Sequence, residues 1–431
     1  MKRYNAFDPP EYVAWTRDPG VVHEFRATIQ ADRARAAAIT SLSGDQLVAL
    51  YRGLLRNRLT DIALKRMVRQ GVISKAWLGT GEEASTIGPV HALRRPESGV
   101  GGGGLKVKGE ESPIVPASIP HARSGSTLHS PLPTPHPQSP TPQPYPRSSI
   151  LHPSSPTPHF DIVAPMIRNS GACHEMGMPV ADILRAYMAT ADGPSRGRDG
   201  HYGAIESGIL PPISHVGDVV PVVTGIALAF KMRSEPRVAL TWIGDGSAKT
   251  GTAHEGLNFA AVQKVPAIFI IQNNQVALGT RLDQHHVSAG ESAFAEWPEA
   301  YGMWGGVFDG NNVLDAFALT SLAAERCREG QGPALLVAET FRMGGHATHD
   351  EAEARETFSQ ELFERWGRRD PIALYEEYLV EEGFSRDTLS AIESEIEAEV
   401  RRAEDEALLS RQTRMPRPEN AIAGVYAESL A

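Results

Sequence analysis

The sequence predicts an α/β protein with a doubly wound parallel sheet and flanking helices. Three short apolar runs carry this prediction: residues 238–243 (VALTWI), 267–272 (AIFIIQ) and 334–339 (ALLVAE). Uninterrupted apolar runs of this length are typical of parallel strands that are buried on both faces. Stretches with helical periodicity separate them, and such alternation of strands and helices favours helices on both sides of one sheet.

Two long helices are predicted at the ends of this pattern. Residues 44–69 repeat apolar side chains at steps of three and four, as an amphipathic helix does. The same steps recur near the C-terminus at Leu389, Ile392, Ile396, Val400, Ala403 and Ala407. The outer face of this second helix is strongly acidic, which is typical of a solvated surface.

Composition excludes several functional classes. The chain has 431 residues, 41% of them hydrophobic, which is enough for a large core, and a formal net charge of −10. That charge provides no overall attraction to nucleic acid or anionic lipid, so neither is an expected partner. The N-terminal residues contain no apolar segment, so we expect no signal peptide, no transmembrane helix and a cytoplasmic location. Cys173 and Cys327 lie too far apart for a metal or redox motif.

A tract at residues 95–159 interrupts the ordered pattern. It is rich in Pro, Ser, Thr and Gly, and it is predicted to be a disordered insertion. Residues 1–94 then form an N-terminal extension and the helical start of the catalytic domain, which continues over residues 160–431 with helices at its C-terminal end. The tract has irregularly spaced histidines, which favours solvated residues over metal ligands: His121, His129, His136, His152 and His159.

The most informative segment is GDGSAKTGTAHEGLNFAAVQKVPAIFIIQNN, residues 244–274. It reads as a tight turn after one strand, a helix, a second strand and a polar pair, so Asp245 and Asn274 emerge at the carboxyl ends of two strands. A carboxylate oxygen, an amide oxygen and a main-chain carbonyl are the hard ligands that magnesium prefers. The helix that starts near Thr252 points its free backbone donors at the same crevice, where a diphosphate would be stabilised.

This segment admits three other interpretations. The dinucleotide fingerprint GxGxxG is not present, and GDGSAKTG lacks the glycine before Lys249 that a phosphate-binding P-loop needs. A strand-to-helix turn with an incidental Asp and Asn is a serious alternative for GDG alone. It becomes much weaker for GDG and NN together on consecutive strands.

With these motifs, the chain resembles the alpha subunits of the thiamine-diphosphate-dependent first component of 2-oxo acid dehydrogenase complexes, of the pyruvate and branched-chain types. The resemblance extends from about Leu47 to the C-terminus, without the Pro-rich tract, and implies a thiamine-diphosphate-binding fold. It implies that magnesium is bound by the side chains of Asp245 and Asn274 and by the main-chain carbonyl of Val276. It also places Gly244, Gly246 and Ser247 at the cofactor.

Upstream, MIRNSGACHEMGMP resembles the stretch that contributes a Tyr-Arg pair in this family. Arg168 falls on the arginine that holds the diphosphate, and Ile167 replaces the tyrosine. In ISHVGDVVPVVTG, Ser214 and Val216 match positions that touch the aminopyrimidine ring of the cofactor. His201, in GRDGHYG, is expected to be structural.

Downstream, FRMGGHATHDEAEAR resembles the mobile active-site loop of the family. Arg342 and His346 fall on its arginine and its catalytic histidine, while the glycines at 344 and 345 are expected to give the backbone freedom. A metal pair formed by His346 and His349 is the less favoured alternative. The regulatory phosphoserine of the family would lie at Ala347, although the neighbouring Thr348 retains a hydroxyl.

The resemblance implies an oxidoreductase that decarboxylates a 2-oxo acid and passes the acyl group to a lipoyl arm on a transacylase. A beta subunit would complete each site, in an alpha2beta2 heterotetramer. Two alternatives stay open: a subunit of an acetoin-type or other thiamine-diphosphate enzyme, and a non-catalytic paralogous subunit. The elements HEGLNFAA and HYG lean toward the branched-chain type over the pyruvate type, but motif analogy does not decide the substrate.

Overall fold

A parallel five-stranded sheet forms the centre of the computed structural model, which describes residues 2–4, 12–96, 159–288 and 293–420. The strand order is β3-β4-β5-β9-β8, and all four pairings are parallel. Two small antiparallel pairs, β1 with β2 and β6 with β7, lie outside this sheet. The strands are Lys2–Tyr4 (β1), Tyr12–Ala14 (β2), Ile162–Ala164 (β3), Ala239–Gly244 (β4), Ala267–Asn273 (β5), Val276–Ala277 (β6), Thr280–Arg281 (β7), Trp304–Asp309 (β8) and Ala334–Glu339 (β9).

The α-helices surround the sheet and build a further helical layer. They are Pro19–Ala31 (α1), Arg33–Thr40 (α2), Gly44–Arg69 (α3), Glu83–His91 (α4), Ser170–Glu175 (α5), Val180–Tyr187 (α6), Val219–Met232 (α7), Gly251–Gln263 (α8), Leu282–His285 (α9), Trp297–Ala300 (α10), Val313–Arg328 (α11), Glu351–Thr357 (α12), Gln360–Gly367 (α13), Pro371–Glu381 (α14) and Arg386–Thr413 (α15). Within the described ranges, none of these helices is long and apolar enough to cross a membrane.

The two faces of the sheet bury different side chains, as the period of two in a strand requires. On one face, Leu240, Ile268 and Leu336 pack into a cluster with residues of α4, α6 and α11. On the other face, alternating residues of the same strands pack against α7 and α8. Strands β4, β5 and β9 are buried along their whole length. The doubly wound α/β fold is therefore confirmed.

Two strands of the sheet were not predicted. Strand β8 reads WGGVFD, and its two glycines break the apolar run that identified its neighbours. Strand β3 has only three residues. Both lie at the edges of the sheet, where pairing on one side suffices and the apolar signal is weaker. The prediction for the Pro-rich tract concerns residues that are almost all outside the described ranges.

The long helices at both ends are confirmed and pack against each other. All six apolar residues predicted for the inner face of α15 are buried. The acidic outer face is only partly solvated, since three of its glutamates form ion pairs with arginines of α3: Arg52–Glu395 at 2.7 Å, Arg56–Glu399 at 2.8 Å and Arg66–Glu404 at 2.5 Å. The expectation of a purely solvated charge run is corrected to this extent.

Candidate functional site

Four neighbouring parallel strands, β3, β4, β5 and β9, end at one edge of the sheet. Each strand is followed within a few residues by one predicted site residue: Arg168, Asp245, Asn274 and Arg342. All four side chains are buried. The carboxyl edge of an open parallel sheet is where such folds bind their ligands, so the strand order itself gathers the predicted residues.

Asp245 directly follows β4, and only one of its two carboxylate oxygens accepts a hydrogen bond from the described residues. Its Oδ1 accepts a hydrogen bond from the backbone N–H of Gly246 at 2.9 Å. Its Oδ2 is buried without a hydrogen-bond partner among the described residues. Burial raises the pKa of Asp245, against the opposing attraction of His285, Arg168 and Arg342. A buried carboxylate with an unused oxygen is what a bound cation would neutralise.

Asn274 follows β5, next to Asp245, and is fully buried. Its Nδ2 donates to Glu82 at 2.9 Å, and its Oδ1 accepts from the backbone N–H of Val276 at 3.2 Å. Gly246 closes the gap between the two turns, because a Cβ on it would lie 2.4 Å from the Cβ of Ala277. The glycine after Asp245 is therefore needed for the close approach of these turns.

The helix predicted near Thr252 begins at Gly251, as α8. Thr250 caps it, since its side chain accepts from the backbone N–H of Ala253 at 3.2 Å. Between Asp245 and this cap, residues Ser247–Lys249 form one 3-10 turn. Gly244, at the end of β4, pairs with Gln272. The GDG segment thus runs from a buried strand end to a helix N-terminus, as expected for a diphosphate-binding turn.

Arg168 approaches the same edge from β3 and is 7% exposed. Its Nε donates to Glu82 at 3.2 Å. Because Nε faces Glu82, the fork of terminal amino groups can serve another anion. The neighbouring Ile167 is half-buried and contributes no hydroxyl.

Arg342 adds a second buried guanidinium group to the site, and His346 lies near it. Arg342 donates to the backbone carbonyls of Gly344 and Leu278, both at 3.1 Å, while its buried Nη1 has no partner among the described residues. Burial lowers its pKa to about 10, and Arg168 adds repulsion. Burial, with the charges of Arg168 and Arg342, also lowers the pKa of His346 to about 3. Both arginines therefore lie close to an imidazole that is neutral near pH 7.

The segment of residues 342–350 is held against residues 76–80. Met343 donates its backbone N–H to the carbonyl of Thr80 at 3.0 Å. Thr348 donates to the carbonyl of Ala76 at 2.9 Å, and its hydroxyl accepts from the backbone N–H of Ala76 at 3.2 Å. The hydroxyl that remains next to Ala347 thus has a structural partner.

Gly345 serves close packing in this segment. A Cβ there would lie 2.3 Å from Oδ1 of Asp350 and 2.6 Å from the carbonyl oxygen of Ala347. Backbone freedom was the reason expected for this glycine, whereas its surroundings show a tight turn that has no room for a side chain.

Ser214 and Val216 lie outside the buried centre. Val216 is 60% exposed. Ser214 Oγ is 2.9 Å from Nε2 of His201, whose Nδ1 is 2.8 Å from Oδ1 of Asp199. Gly217, at a φ of +90°, packs so tightly on Thr250 that a Cβ would lie 2.0 Å from its hydroxyl. This contact brings the Ser214 segment beside the GDG turn but leaves Val216 at the surface.

Two residues of the candidate site were not predicted from the sequence. Glu82, the residue before α4, is fully buried and accepts hydrogen bonds from Arg168 and Asn274. His285, in α9, has both ring nitrogens buried and unpartnered among the described residues, with Nε2 3.9 Å from Oδ2 of Asp245. The pair of glutamates at the start of an otherwise apolar helix, EEASTIGPV, was a signal for the first. No local signal distinguished His285.

The donor set fits the expected ligand group. The free oxygen of Asp245 and the amide oxygen of Asn274 suit a hard divalent cation. The guanidinium groups of Arg168 and Arg342 suit a diphosphate. Among the described residues, no group of three His, Cys, Asp or Glu side chains is placed to hold a metal ion, so the candidate cation ligands are one carboxylate with amide and carbonyl oxygens. Cys173 and Cys327 are both buried free thiols.

Comparison with known proteins assigns a family to this arrangement. The family described as "Dehydrogenase E1 component" matches residues 146–416. The matched range contains the turns after β3, β4, β5 and β9, and therefore the four residues that meet at the sheet edge. Glu82 lies before it.

The curated relatives of the chain are named as alpha subunits of dehydrogenases. The chain is 34% identical over 272 residues to the 2-oxoisovalerate dehydrogenase subunit alpha of Bacillus subtilis, covering 62% of this chain and 80% of that protein. It is 31% identical over 260 residues to the pyruvate dehydrogenase E1 component subunit alpha of Porphyra purpurea, covering 58% and 74%. A 3-methyl-2-oxobutanoate dehydrogenase subunit alpha of Mycobacterium tuberculosis is 39% identical over 159 residues, covering 37% and 42%.

Proposed function

Since the chain belongs to the dehydrogenase E1 component family, we propose that it is the alpha subunit of a 2-oxo acid dehydrogenase. The proposed activity is thiamine-diphosphate-dependent oxidative decarboxylation with acyl transfer to a lipoyl group. One observation carries the proposal: Asp245, Asn274, Arg168 and Arg342 converge at the carboxyl ends of four adjacent strands. A cation ligand pair and two guanidinium groups match a magnesium diphosphate.

The metal part of the site would be built by the two central turns. The free Oδ2 of Asp245, the Oδ1 of Asn274 and the main-chain carbonyl of Val276 are the proposed magnesium ligands. The cation would neutralise the buried carboxylate of Asp245, whose Oδ2 has no hydrogen-bond partner among the described residues. Gly244, Gly246 and Ser247 would lie along the diphosphate, and Ser214 and Val216 beside the aminopyrimidine.

The chemistry would be divided between cofactor and protein. Bound thiamine diphosphate supplies the electron-accepting ring that makes the loss of carbon dioxide from a 2-oxo acid feasible. Arg168 and Arg342 would hold the diphosphate by charge-assisted hydrogen bonds. His346, whose pKa is lowered by burial and by the two arginines, would donate or accept a hydrogen bond near the reacting groups.

A beta subunit is the proposed partner for the open side of this site. Helices α7 and α8 pack together, and their neighbourhood exposes apolar side chains: Val216 at 60%, Val222 at 41%, Phe259 at 47% and Val262 at 65%. Contiguous exposed apolar patches are typical of subunit contacts, and Phe259 and Val262 lie about one helical turn apart on α8. The alpha2beta2 stoichiometry and a lipoyl-bearing transacylase are part of the same proposal. The names of the curated relatives support both a branched-chain 2-oxo acid and pyruvate as substrates.

Turnover of a 2-oxo acid panel by the chain co-expressed with its beta subunit tests the proposal. We expect activity with branched-chain 2-oxo acids or pyruvate and a lipoyl acceptor, and none from the chain alone. The Asp245→Ala variant should lose magnesium-dependent binding of thiamine diphosphate in calorimetry while keeping its melting temperature. Full cofactor affinity in this variant would overturn the metal assignment, and substantial activity of the isolated chain would overturn the heteromeric site.

A further inference from the structure

Glu82 is hydrogen-bonded to both parts of the proposed site, the cation ligand Asn274 and the anion-binding Arg168. Its carboxylate is fully buried and accepts three side-chain hydrogen bonds. The donors are Nε of Arg168 at 3.2 Å, Nε2 of Gln272 at 2.6 Å and Nδ2 of Asn274 at 2.9 Å. Burying a carboxylate is costly unless donors compensate for lost water, and these three donors do so.

The carboxylate decides which way the amide of Asn274 points. A primary amide can present either its NH₂ or its oxygen to a neighbour, and only the neighbour's chemistry selects between them. Because Arg168 and Gln272 also donate to it, the Glu82 carboxylate acts as an acceptor, so Nδ2 of Asn274 faces Glu82 and Oδ1 faces away. In that orientation Oδ1 accepts from Val276 and keeps a lone pair for a cation.

A second chain of amides reinforces this orientation. Gln272 donates through Nε2 to Glu82, and its Oε1 accepts from Nδ2 of Asn169 at 3.0 Å. Nδ2 of Asn169 also donates to the hydroxyl of Thr86 at 2.7 Å. All members are buried, so reversing one amide would leave a donor facing a donor in a water-poor interior.

On its other side, Glu82 orients Arg168. The Nε of Arg168 is the atom that faces the carboxylate, which directs the terminal amino groups elsewhere. Both Arg168 and Arg342 are close enough to influence Asp245, and Glu82 attracts Arg342 as well. One carboxylate thus fixes a cation ligand and an anion-binding guanidinium at the same time.

We propose that Glu82 is a positioning residue that couples magnesium binding to diphosphate binding by holding Asn274 and Arg168 in their binding orientations. The inference rests on the proposed function, since both oriented groups are the proposed ligands. Glu82 itself would touch neither the cation nor the cofactor. Its removal should therefore weaken both bindings together without removing any ligand.

The adjacent residue offers a matched control. Glu83 is also a fully buried carboxylate at the same helix start, but it forms an ion pair with Arg58 and accepts from the backbone N–H of Gly81 at 3.0 Å. It therefore supports the packing of α3 and α4 and contacts none of the proposed ligands. Glu82→Gln and Glu83→Gln remove the same charge from consecutive positions with different partners.

The experiment is a calorimetric titration of thiamine diphosphate at several magnesium concentrations, on the chain assembled with its beta subunit. Glu82→Gln should weaken cofactor binding about ten-fold or more and raise the half-saturating magnesium concentration, because a carboxamide cannot accept from all three donors. Glu83→Gln should stay within about three-fold of the wild type even if its melting temperature falls. Equal losses in the two variants, or no loss in Glu82→Gln, would overturn the inference.

A double variant separates orientation from general stability. In Glu82→Gln with Asn274→Asp, the new amide can donate to the new carboxylate, which has an oxygen for the cation in either orientation. Magnesium binding should therefore recover relative to Glu82→Gln alone, which a purely structural role would not produce, and the absence of recovery counts against the inference.

Should Glu82→Gln not fold, Glu82→Asp retains the charge, retracts the oxygens and should weaken magnesium binding in the same way. If Asp245→Ala leaves magnesium binding intact, the proposed function fails, whereas loss in Asp245→Ala but not in Glu82→Gln rejects only the role of Glu82.

Discussion

Arg94 and Asp161 exchange two hydrogen bonds, although the Pro-rich tract separates them in the sequence. The backbone N–H of Asp161 donates to the carbonyl of Arg94 at 2.8 Å, and the backbone N–H of Arg94 donates to Oδ2 of Asp161 at 2.8 Å. Asp161 also accepts from the backbone N–H of Val238 at 2.7 Å and forms an ion pair with Arg328. The described residues on either side of the tract therefore meet at a single point.

The first prediction concerns the excursion between these two residues. Replacing residues 96–158 with a short Gly-Ser connection should leave melting temperature, assembly with the beta subunit and turnover nearly unchanged, because the ends already meet and loop-closure entropy depends only weakly on length. In contrast, Asp161→Ala should lower the free energy of unfolding by about 3 kcal/mol, since it leaves buried donors unpaired. Thermal melts and size-exclusion chromatography check both. Loss of assembly by a folded deletion variant would show that the tract carries an interaction.

The second prediction concerns His285, whose ring faces the free oxygen of Asp245. His285→Gln should weaken magnesium-dependent binding of thiamine diphosphate about five-fold, because a buried polar neighbour of the ligand set is replaced by a more flexible one. His286→Gln is the control, since the His286 ring packs on Phe294 at 4.6 Å. Calorimetry on the assembled enzyme measures both. Indistinguishable affinities in the two variants would remove His285 from the site.

The third prediction concerns His346. His346→Ala should lower transfer to a lipoyl acceptor about a hundred-fold while weakening cofactor binding less than about three-fold, because the imidazole is expected to act during the reaction. His349→Ala, at an exposed position of the same segment, is the control. Single-turnover kinetics and calorimetry separate the two effects. Losses of equal size in transfer and in binding would argue for a role in holding the cofactor alone.

The fourth prediction concerns acid stability and His174, which lies outside the site. Burial lowers the pKa of this imidazole from 6.5 to about 4. The folded state therefore keeps His174 neutral, and its stability is unaffected by this residue above pH 6.5. Between pH 6.5 and 4 only the unfolded state takes up the proton, so the free energy of unfolding should fall with falling pH, by at most about 1.4 kcal/mol per pH unit.

Denaturant titrations of the full-length chain between pH 7 and 5 measure this slope. His174→Gln should make the slope shallower, because it removes the group whose protonation differs between the two states. His23→Gln, at an exposed histidine, should leave the slope unchanged. A slope that persists unaltered in His174→Gln would assign the acid sensitivity to other groups.

The alternation of strands and helices, and the placement of Asp245 and Asn274 at the ends of neighbouring strands, were determined by the sequence alone. Both depend on local information: the apolar runs identify the strands, and one β-α-β unit brings its two strand ends side by side. The three central strands, the long helices α3 and α15 and the start of α8 accordingly match their predictions. The missed strands β3 and β8 are short or glycine-rich, and their local signal is weak.

Only the tertiary structure brought Glu82 and His285 to the site and joined Arg94 to Asp161. Glu82 meets Asn274 across 192 positions of the sequence, through a helix that precedes the tract while the sheet follows it. Such a contact depends on where the start of α4 lies relative to the end of β5. No periodicity or motif encodes it, because the energy of a buried carboxylate is decided by donors that the folded chain alone places around it.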